Sequence, residues 1–263
     1  MGANALILRD AARAAATVRE FTRLGITSRC AQLIAAIWPE DTAELEAACQ
    51  RLRAGAFDWL VVTSANTVYV LAQLLDCRQL GPELKLAVVG TKTAQVAKEL
   101  LGLDPAFRPR VQSAEGMLAG WRPEAGAKIF YPHGDLASTT LAQGLAEQQV
   151  FVTEAVAYRT VHAPAAREVH RRPAPEGIQS IAPEQIPAVL GELDLIVFTA
   201  PSIARRFVQL AGASLPPQCR TIAIGQPTAA ALRALALPVH AVAEDPGPRG
   251  IAAAAAKLLR ASN

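Results

Sequence analysis

Three short stretches of the sequence carry residues suited to gripping an anion: Thr63-Ser64-Ala65-Asn66, Gly90-Thr91-Lys92-Thr93 and Gly225-Gln226-Pro227-Thr228. Each follows a short apolar run and precedes a segment with helical spacing. A turn from strand to helix leaves backbone N–H groups free at the positive end of the helix dipole. Glycine lets the backbone approach a ligand closely, and Ser or Thr hydroxyls add donors. A hydrogen bond to a charged group is worth roughly 1.5–3 kcal/mol, so a few such turns could hold several carboxylates. The same residues also suit plain structural work. Gly90 and Gly225 fit tight loops, and Ser64 and Asn66 fit helix caps. Arg9, Lys92, His133 and Arg159 offer positive charge, and each also reads as a paired, capping or solvated group. Tyr158 sits in an extended apolar stretch. A phenol there can donate a proton or a hydrogen bond, or pack between strands with its hydroxyl satisfied by backbone.

Several familiar chemistries are excluded. No G-x-S-x-G elbow surrounds Ser64, so it is a poor hydrolase nucleophile. The Gly90 turn lacks the spacing of a P-loop, and no G-x-G-x-x-G follows the first apolar run, so no nucleotide cofactor is expected. His133, His162, His170 and His240 show no metal-ligand spacing, and no metal is expected. Four cysteines, at 30, 49, 77 and 219, form no C-x-x-C pair and suit a reducing cytoplasm. A net charge of +3 over 263 residues is too small for a dedicated nucleic-acid binder. The start of the chain lacks the basic opening and long apolar stretch of a signal peptide, and no apolar run is long enough for a membrane span. A cytoplasmic protein is expected.

The elements that must position these residues follow from the apolar pattern. Leu6–Leu8, Trp59–Thr63, Leu86–Val89, Lys128–Tyr131, Leu195–Thr199 and Thr221–Ile224 are short, continuously apolar, and followed by helical segments. Continuous apolar character means burial on both faces, as in parallel sheets covered by helices. An internal repeat supports this. Asp58 to Ser64 resembles Asp194 to Ala200, and Val88-Val89-Gly90-Thr91-Lys92-Thr93-Ala94 resembles Ala223-Ile224-Gly225-Gln226-Pro227-Thr228-Ala229, at an offset of about 135 residues. The unit Ala5–Gly25 finds its best partner in Lys128–Gln149, the last of the middle block. One domain is therefore expected to be discontinuous with the other inserted into it. The reading is α/β, with two similar domains whose parallel sheets are flanked by helices. Residues 1–34 plus 163–263 form the discontinuous domain and 40–153 the inserted one. They are joined by a two-stranded hinge at 35–39 and 154–162, within extended crossings over Ala31–Pro39 and Glu154–His162. Prolines at 164, 173, 175, 183 and 187 mark a loop-rich stretch, and Arg171-Arg172 within it reads as solvated.

In order along the chain, these residues resemble the motifs of the uroporphyrinogen-III synthases. Asp58-Trp59-Leu60-Val61-Val62-Thr63-Ser64-Ala65-Asn66 is similar to that family's D-W-[IL]-[IV]-[FV]-T-S-x-N segment. The Gly90 and Gly225 turns resemble its two V-G-x-x-T-A turns. Tyr131-Pro132-His133-Gly134-Asp135 resembles its P-R-G strand end, Val156-Ala157-Tyr158-Arg159-Thr160 its V-x-x-Y-x-T crossing strand, and Ala243-Glu244-Asp245-Pro246 its A-x-x-P-T helix start. The chain departs from the pattern at Asp10, His133, Ala200 and Gln226.

The resemblance implies a cofactor-free lyase of haem biosynthesis. It would close hydroxymethylbilane, a linear tetrapyrrole with eight carboxylates, into uroporphyrinogen III, inverting ring D through a spiro intermediate and losing water. It implies Tyr158 as the catalytic acid at the leaving hydroxyl. It implies Arg9, Thr63, Ser64, Asn66, Gly90, Lys92, Thr93, His133, Gly134, Thr199, Ser202, Gly225 and Thr228 as substrate contacts. The expected partners are the substrate and the preceding deaminase, with no nucleic acid or membrane, and the expected state is a monomer. Two rivals stay open on the residues alone: a hinged protein that binds a small anion without chemistry, and a catalytically silent relative.

Overall fold

The short apolar runs form strands, and the strands assemble into two sheets. The computed structural model of the chain describes residues 2–170, 173 and 175–260, so Arg171-Arg172 lies outside the described residues. The strands are β1 (Asn4–Leu8), β2 (Thr27–Cys30), β3 (Ile34–Ile37), β4 (Trp59–Val62), β5 (Lys85–Val88), β6 (Pro105–Phe107), β7 (Lys128–Gly134), β8 (Phe151–His162), β9 (Gln179–Ser180), β10 (Leu195–Phe198), β11 (Arg220–Ala223) and β12 (Ala241–Val242). The α-helices are α1 (Ala11–Arg23), α2 (Ala43–Arg53), α3 (Ala65–Leu74), α4 (Thr91–Leu101), α5 (Ala114–Gly120), α6 (Thr140–Ala146), α7 (Ile186–Val189), α8 (Pro201–Ala211), α9 (Gln226–Ala234) and α10 (Pro248–Arg260).

One sheet runs β12-β11-β10-β1-β2-β9, with each of these pairings parallel. The other, taken in the same sense, runs β6-β5-β4-β7-β8-β3, parallel from β6 to β8. Strand β4 thus stands where β10 stands, and β7 where β1 stands. The sequence match of Lys128–Gln149 with Ala5–Gly25 is therefore a match of position in the sheet. The chain divides into two units: Met1–Ala35, His162–Pro164 and Arg172–Asn263 make one, and Ala36–Val161 with Ala165–Arg171 the other. In the second unit the Val169 N–H donates to the Ala36 carbonyl at 2.8 Å, and the His170 ring stacks on Tyr69 at 3.8 Å.

Alternation along each strand buries both faces. In the first unit Leu6, Leu8, Ile196 and Phe198 face a core shared with Ile186 of α7, Phe207 of α8 and Leu232 of α9. Ala5, Ile7, Leu195 and Val197 face the other way, onto Phe21 of α1 and Ile251 of α10. The second unit repeats the plan. Leu60 and Val62 meet Leu45 of α2, Val68 of α3 and Val96 of α4, while Val61 meets Met117 of α5 and Leu145 of α6. Fully burying such a side chain stabilises by about 1.5–3 kcal/mol, so strand runs without polar interruption are what this two-sided packing selects.

A carboxylate anchors the amino edge of each sheet in the same way. Asp58 Oδ2 accepts the Lys128 N–H at 2.7 Å, and Asp194 Oδ2 accepts the Asn4 N–H at 2.8 Å. Within the expected crossing over Ala31–Pro39, Ile34–Ile37 forms β3, and the crossing is preceded by a separate strand, β2. Its sequence, Thr-Ser-Arg-Cys, carries no apolar run because only Cys30 is buried. Among the described residues no helix is long and apolar enough to cross a membrane.

Candidate functional site

In a parallel sheet all strands end on one edge, and ligands bind beyond it. In the second unit, Thr63, Ser64 and Asn66 follow β4, Gly90, Lys92 and Thr93 follow β5, His133 and Gly134 end β7, and Tyr158 lies toward the end of β8. Those four strands are neighbours, so the sheet brings these residues to one edge. In the first unit Arg9 follows β1, Thr199 and Ser202 follow β10, and Gly225 and Thr228 follow β11, again on neighbouring strands and one edge.

The edge of the second unit is a connected set of side chains. Ser64 caps α3, its Oγ accepting the Asn66 N–H at 3.2 Å. The Tyr158 hydroxyl donates to the same oxygen at 3.2 Å. On the other side of the sheet the Tyr131 hydroxyl is hydrogen-bonded to the Thr63 side chain. Burial pushes the Tyr131 phenol above its usual range, the Thr63 bond works against it, and the charge of Glu154 adds to it. His133 Nε2 lies 3.2 Å from the Glu154 carboxylate, and its Nδ1 donates to the Gly134 carbonyl at 2.9 Å.

At the Gly90 turn the chain supplies its own cap. The Thr91 N–H donates to Gln112 Oε1 at 3.3 Å, and Thr91 Oγ1 accepts from Arg108 Nη1 at 2.9 Å. A Cβ on Gly90 would stand 3.3 Å from that Gln112 oxygen, so the glycine makes room for Gln112. Lys92 is exposed and reaches Gln95 at 3.4 Å, while Thr93 is buried against the sheet. Arg159 points to Glu40 at 3.4 Å on an exposed face.

The edge of the first unit is barer. Ala200 and Gly225 begin α8 and α9 with no side-chain cap, and Pro201 and Pro227 have no N–H to offer. The Thr199 hydroxyl donates to the Leu8 carbonyl at 2.7 Å, Thr228 is buried, and Ser202 is half-buried at the start of α8. Asp10 caps α1 by accepting the Arg13 N–H at 3.1 Å, which gives that departure a structural role. Burial holds the Arg9 guanidinium below its ordinary value, with Arg13 pushing the same way and Asp10 against. Arginine still stays charged at neutral pH.

Tyr131, Glu154, Arg108 and Gln112 belong to these edges and were missed from the sequence. Tyr131 stands two residues before His133 on one strand, and that spacing was the available signal. Among the described residues no group of three or more His, Cys, Asp or Glu is placed to hold a metal ion. Two cavities are lined by other residues, one of them beside the start of α10, just beyond β12. One of about 290 Å³ is lined by Arg19, Glu20, Asp245 and Arg249, the other of about 270 Å³ by Asp58, Lys85 and Glu124. Neither contains a predicted site residue.

Comparison with known proteins agrees with the motif reading. A curated uroporphyrinogen-III synthase from Synechococcus elongatus is 30% identical over 170 residues, 60% of this chain and 56% of that protein. The match therefore spans little more than half of the curated relative. A mutant uroporphyrinogen III synthase from the extremely thermophilic bacterium Thermus thermophilus superposes with a TM-score of 0.67 at 19% identity, covering 99% of this chain and 100% of that one. The uroporphyrinogen-III synthetase of Helicobacter pylori 26695 gives 0.56 at 16% identity, covering 98% and 100%. These two likenesses show the fold. The family model described as uroporphyrinogen-III synthase HemD matches residues 15–253, which takes in every strand described above except β1. With motifs, strand order and family model in agreement, the chain belongs to the uroporphyrinogen-III synthase family.

Proposed function

We propose that the chain is itself a uroporphyrinogen-III synthase, a cofactor-free hydro-lyase that converts hydroxymethylbilane to uroporphyrinogen III. The observation that supports this most directly is the Tyr158 hydroxyl held 3.2 Å from Ser64 Oγ at the carboxyl edge of a parallel sheet. On this reading Tyr158 gives its proton to the leaving hydroxyl of the substrate. The C–O bond breaks, water departs, and an electrophilic azafulvene remains. Ring D attacks through its substituted carbon to give the spiro intermediate, which fragments and recloses inverted. The α-hydrogen lost from ring D in the last step returns a proton to the phenolate.

The substrate closes without help into the uninverted isomer, so the protein must bias folding of a flexible polyanion. Each tenfold in isomer ratio needs about 1.4 kcal/mol, which one or two charged hydrogen bonds supply. Arg9, Thr199, Ser202, Gly225 and Thr228 in one unit are the proposed carboxylate contacts. Thr63, Asn66, Gly90, Lys92, Thr93 and His133 are those in the other. The segments 35–39 and 154–162 are proposed as hinge strands. We place the enzyme in the cytoplasm as a monomer fed by the deaminase that makes its substrate. Cys30, Cys49 and Cys219 support that compartment: they are unpaired, and burial pushes their thiols up to about 12, about 11 and about 11.

The test supplies hydroxymethylbilane from the deaminase and separates the product isomers. The inverted isomer should predominate. An isomer mixture identical to that in buffer would leave only anion binding. Tyr158→Phe should lower kcat by about 100-fold, the lower end for a general acid. An unchanged kcat would remove Tyr158 from the chemistry.

A further inference from the structure

We infer that Gly134 and Ser64 are positioning residues that act through Tyr158, the one by seating its ring and the other by holding its hydroxyl; the inference rests on the proposed role of Tyr158. The register between β7 and β8 pairs Tyr131 with Glu154 and His133 with Val156, then jumps to pair Gly134 with Tyr158. Residues paired across a ladder point to the same side. Glu154 accordingly meets His133, while Ala155 and Ala157 face the opposite core with Val68 and Val96. Plain alternation would send Tyr158 to the Glu154 side. The extra residue of the bulge turns it to the side of Ala157, where Ser64 stands.

Gly134 completes the seat. A Cβ at that position would fall 2.5 Å from Tyr158 Cζ and 2.7 Å from its hydroxyl oxygen. The backbone of Gly134 is not in the left-handed region, so the contact with the ring, and not the turn, demands glycine. The Asp135 N–H donates to the Tyr158 carbonyl at 3.0 Å, and Asp135 Oδ1 accepts the Thr160 N–H at 2.8 Å, which fixes the strand beneath the ring. Ser64 Oγ is itself held by the Asn66 N–H. Its hydrogen can turn toward the phenol oxygen, so that Ser64 becomes the donor as Tyr158 passes its proton to the leaving hydroxyl. The phenolate that forms then keeps a hydrogen bond.

The test is a pair of double-mutant cycles with kcat, KM and Tm as readouts. Gly134→Ala should lower kcat roughly 30-fold with KM changed less than about threefold, and add no further loss in a Tyr158→Ala background. Ser64→Ala should lower kcat roughly tenfold, recover within about threefold in Ser64→Thr, and add nothing to Tyr158→Phe. Losses that multiply instead of merging, or that appear in KM alone, overturn the inference while leaving Tyr158 catalytic. A Tyr158→Phe enzyme of full activity overturns both the inference and the reading beneath it. The seat is also read without turnover: Gly134→Ala should lower Tm in the wild-type chain and not in Tyr158→Ala, and equal drops in both overturn it.

Discussion

The two units agree at one edge of their sheets and part at the other. At the amino edges Asp58 and Asp194 do the same thing, each accepting the first N–H of the strand beside it. At the carboxyl edges the helix starts differ. In the second unit Ser64 caps α3 and Gln112 reaches over to the start of α4. In the first unit Ala200 and Gly225 leave α8 and α9 uncapped by side chains. The amino edge only has to hold strands in register, and one solution serves both copies. The carboxyl edge is where the proposed substrate contacts lie, and there the copies have diverged: one ties Tyr158 to the capping Ser64, the other starts α8 and α9 without side-chain caps.

Removing the shared anchor should have the largest effect on stability. Asp194→Ala should cost about 2 kcal/mol, within the range for a hydrogen bond to a charged group, because its bond to Asn4 is partly buried. Asp58→Ala should cost less, about 1 kcal/mol, because the bond to Lys128 is exposed. The tryptophans at 38, 59 and 121 all lie in the second unit, so their fluorescence follows that unit while circular dichroism follows both. Denaturation read by both signals should assign each loss to its own unit, and equal losses would show that the anchors do not depend on burial.

Making the edges alike is the next step. Ala200→Ser gives α8 the cap that α3 has, on a backbone already extended at that position. It should add about 1 kcal/mol, or roughly 2–4 °C in Tm. It should also raise KM, since the new hydroxyl competes for N–H groups proposed to meet the substrate. No gain in Tm would mean the turn cannot accept a cap.

The smallest expected effect concerns acid. His240 in the first unit accepts the Thr221 N–H at Nδ1, 3.0 Å away, and burial followed by the charge of Arg220 holds its pKa below the ordinary 6.5. The folded state therefore prefers the neutral ring. That contribution is complete above pH 6.5 and is lost as pH falls toward and through the lowered value. His240→Gln should flatten the acid limb of the stability profile, and an unaltered limb would count against the assignment.

Much of this architecture was legible in the residues. Asp58 and Asp194 mark equivalent strands because one local contact needs the same side chain twice. Ala5–Gly25 and Lys128–Gln149 carry the same pattern because β1 and β7 stand at corresponding places in their sheets, where a strand packed on both faces stays apolar. Strands β2, β6, β9 and β12 were not legible, being short, partly exposed, and lacking any long apolar run. Within the site, Tyr158 and Ser64 were found one at a time, but their contact was not, since it depends on a register jump that no spacing within either strand records. Gln112 escaped because its work is done 21 residues away, at the start of α4.

The permuted order of strands has a consequence for a nascent chain leaving the ribosome. Strand β1 is synthesised first and lies between β2 and β10, yet Asp194, which holds its first residue, arrives 190 residues later. The second unit needs little beyond its own contiguous stretch and can finish while the ribosome is still at work. Until the last third emerges, Ala5–Leu8 wait with an open edge, the kind of apolar strand that invites mispairing. Closing so long a loop adds little to the equilibrium cost but slows the search. A chain cut ahead of Asp194 would therefore leave the half that was begun first without the partner of its central strand.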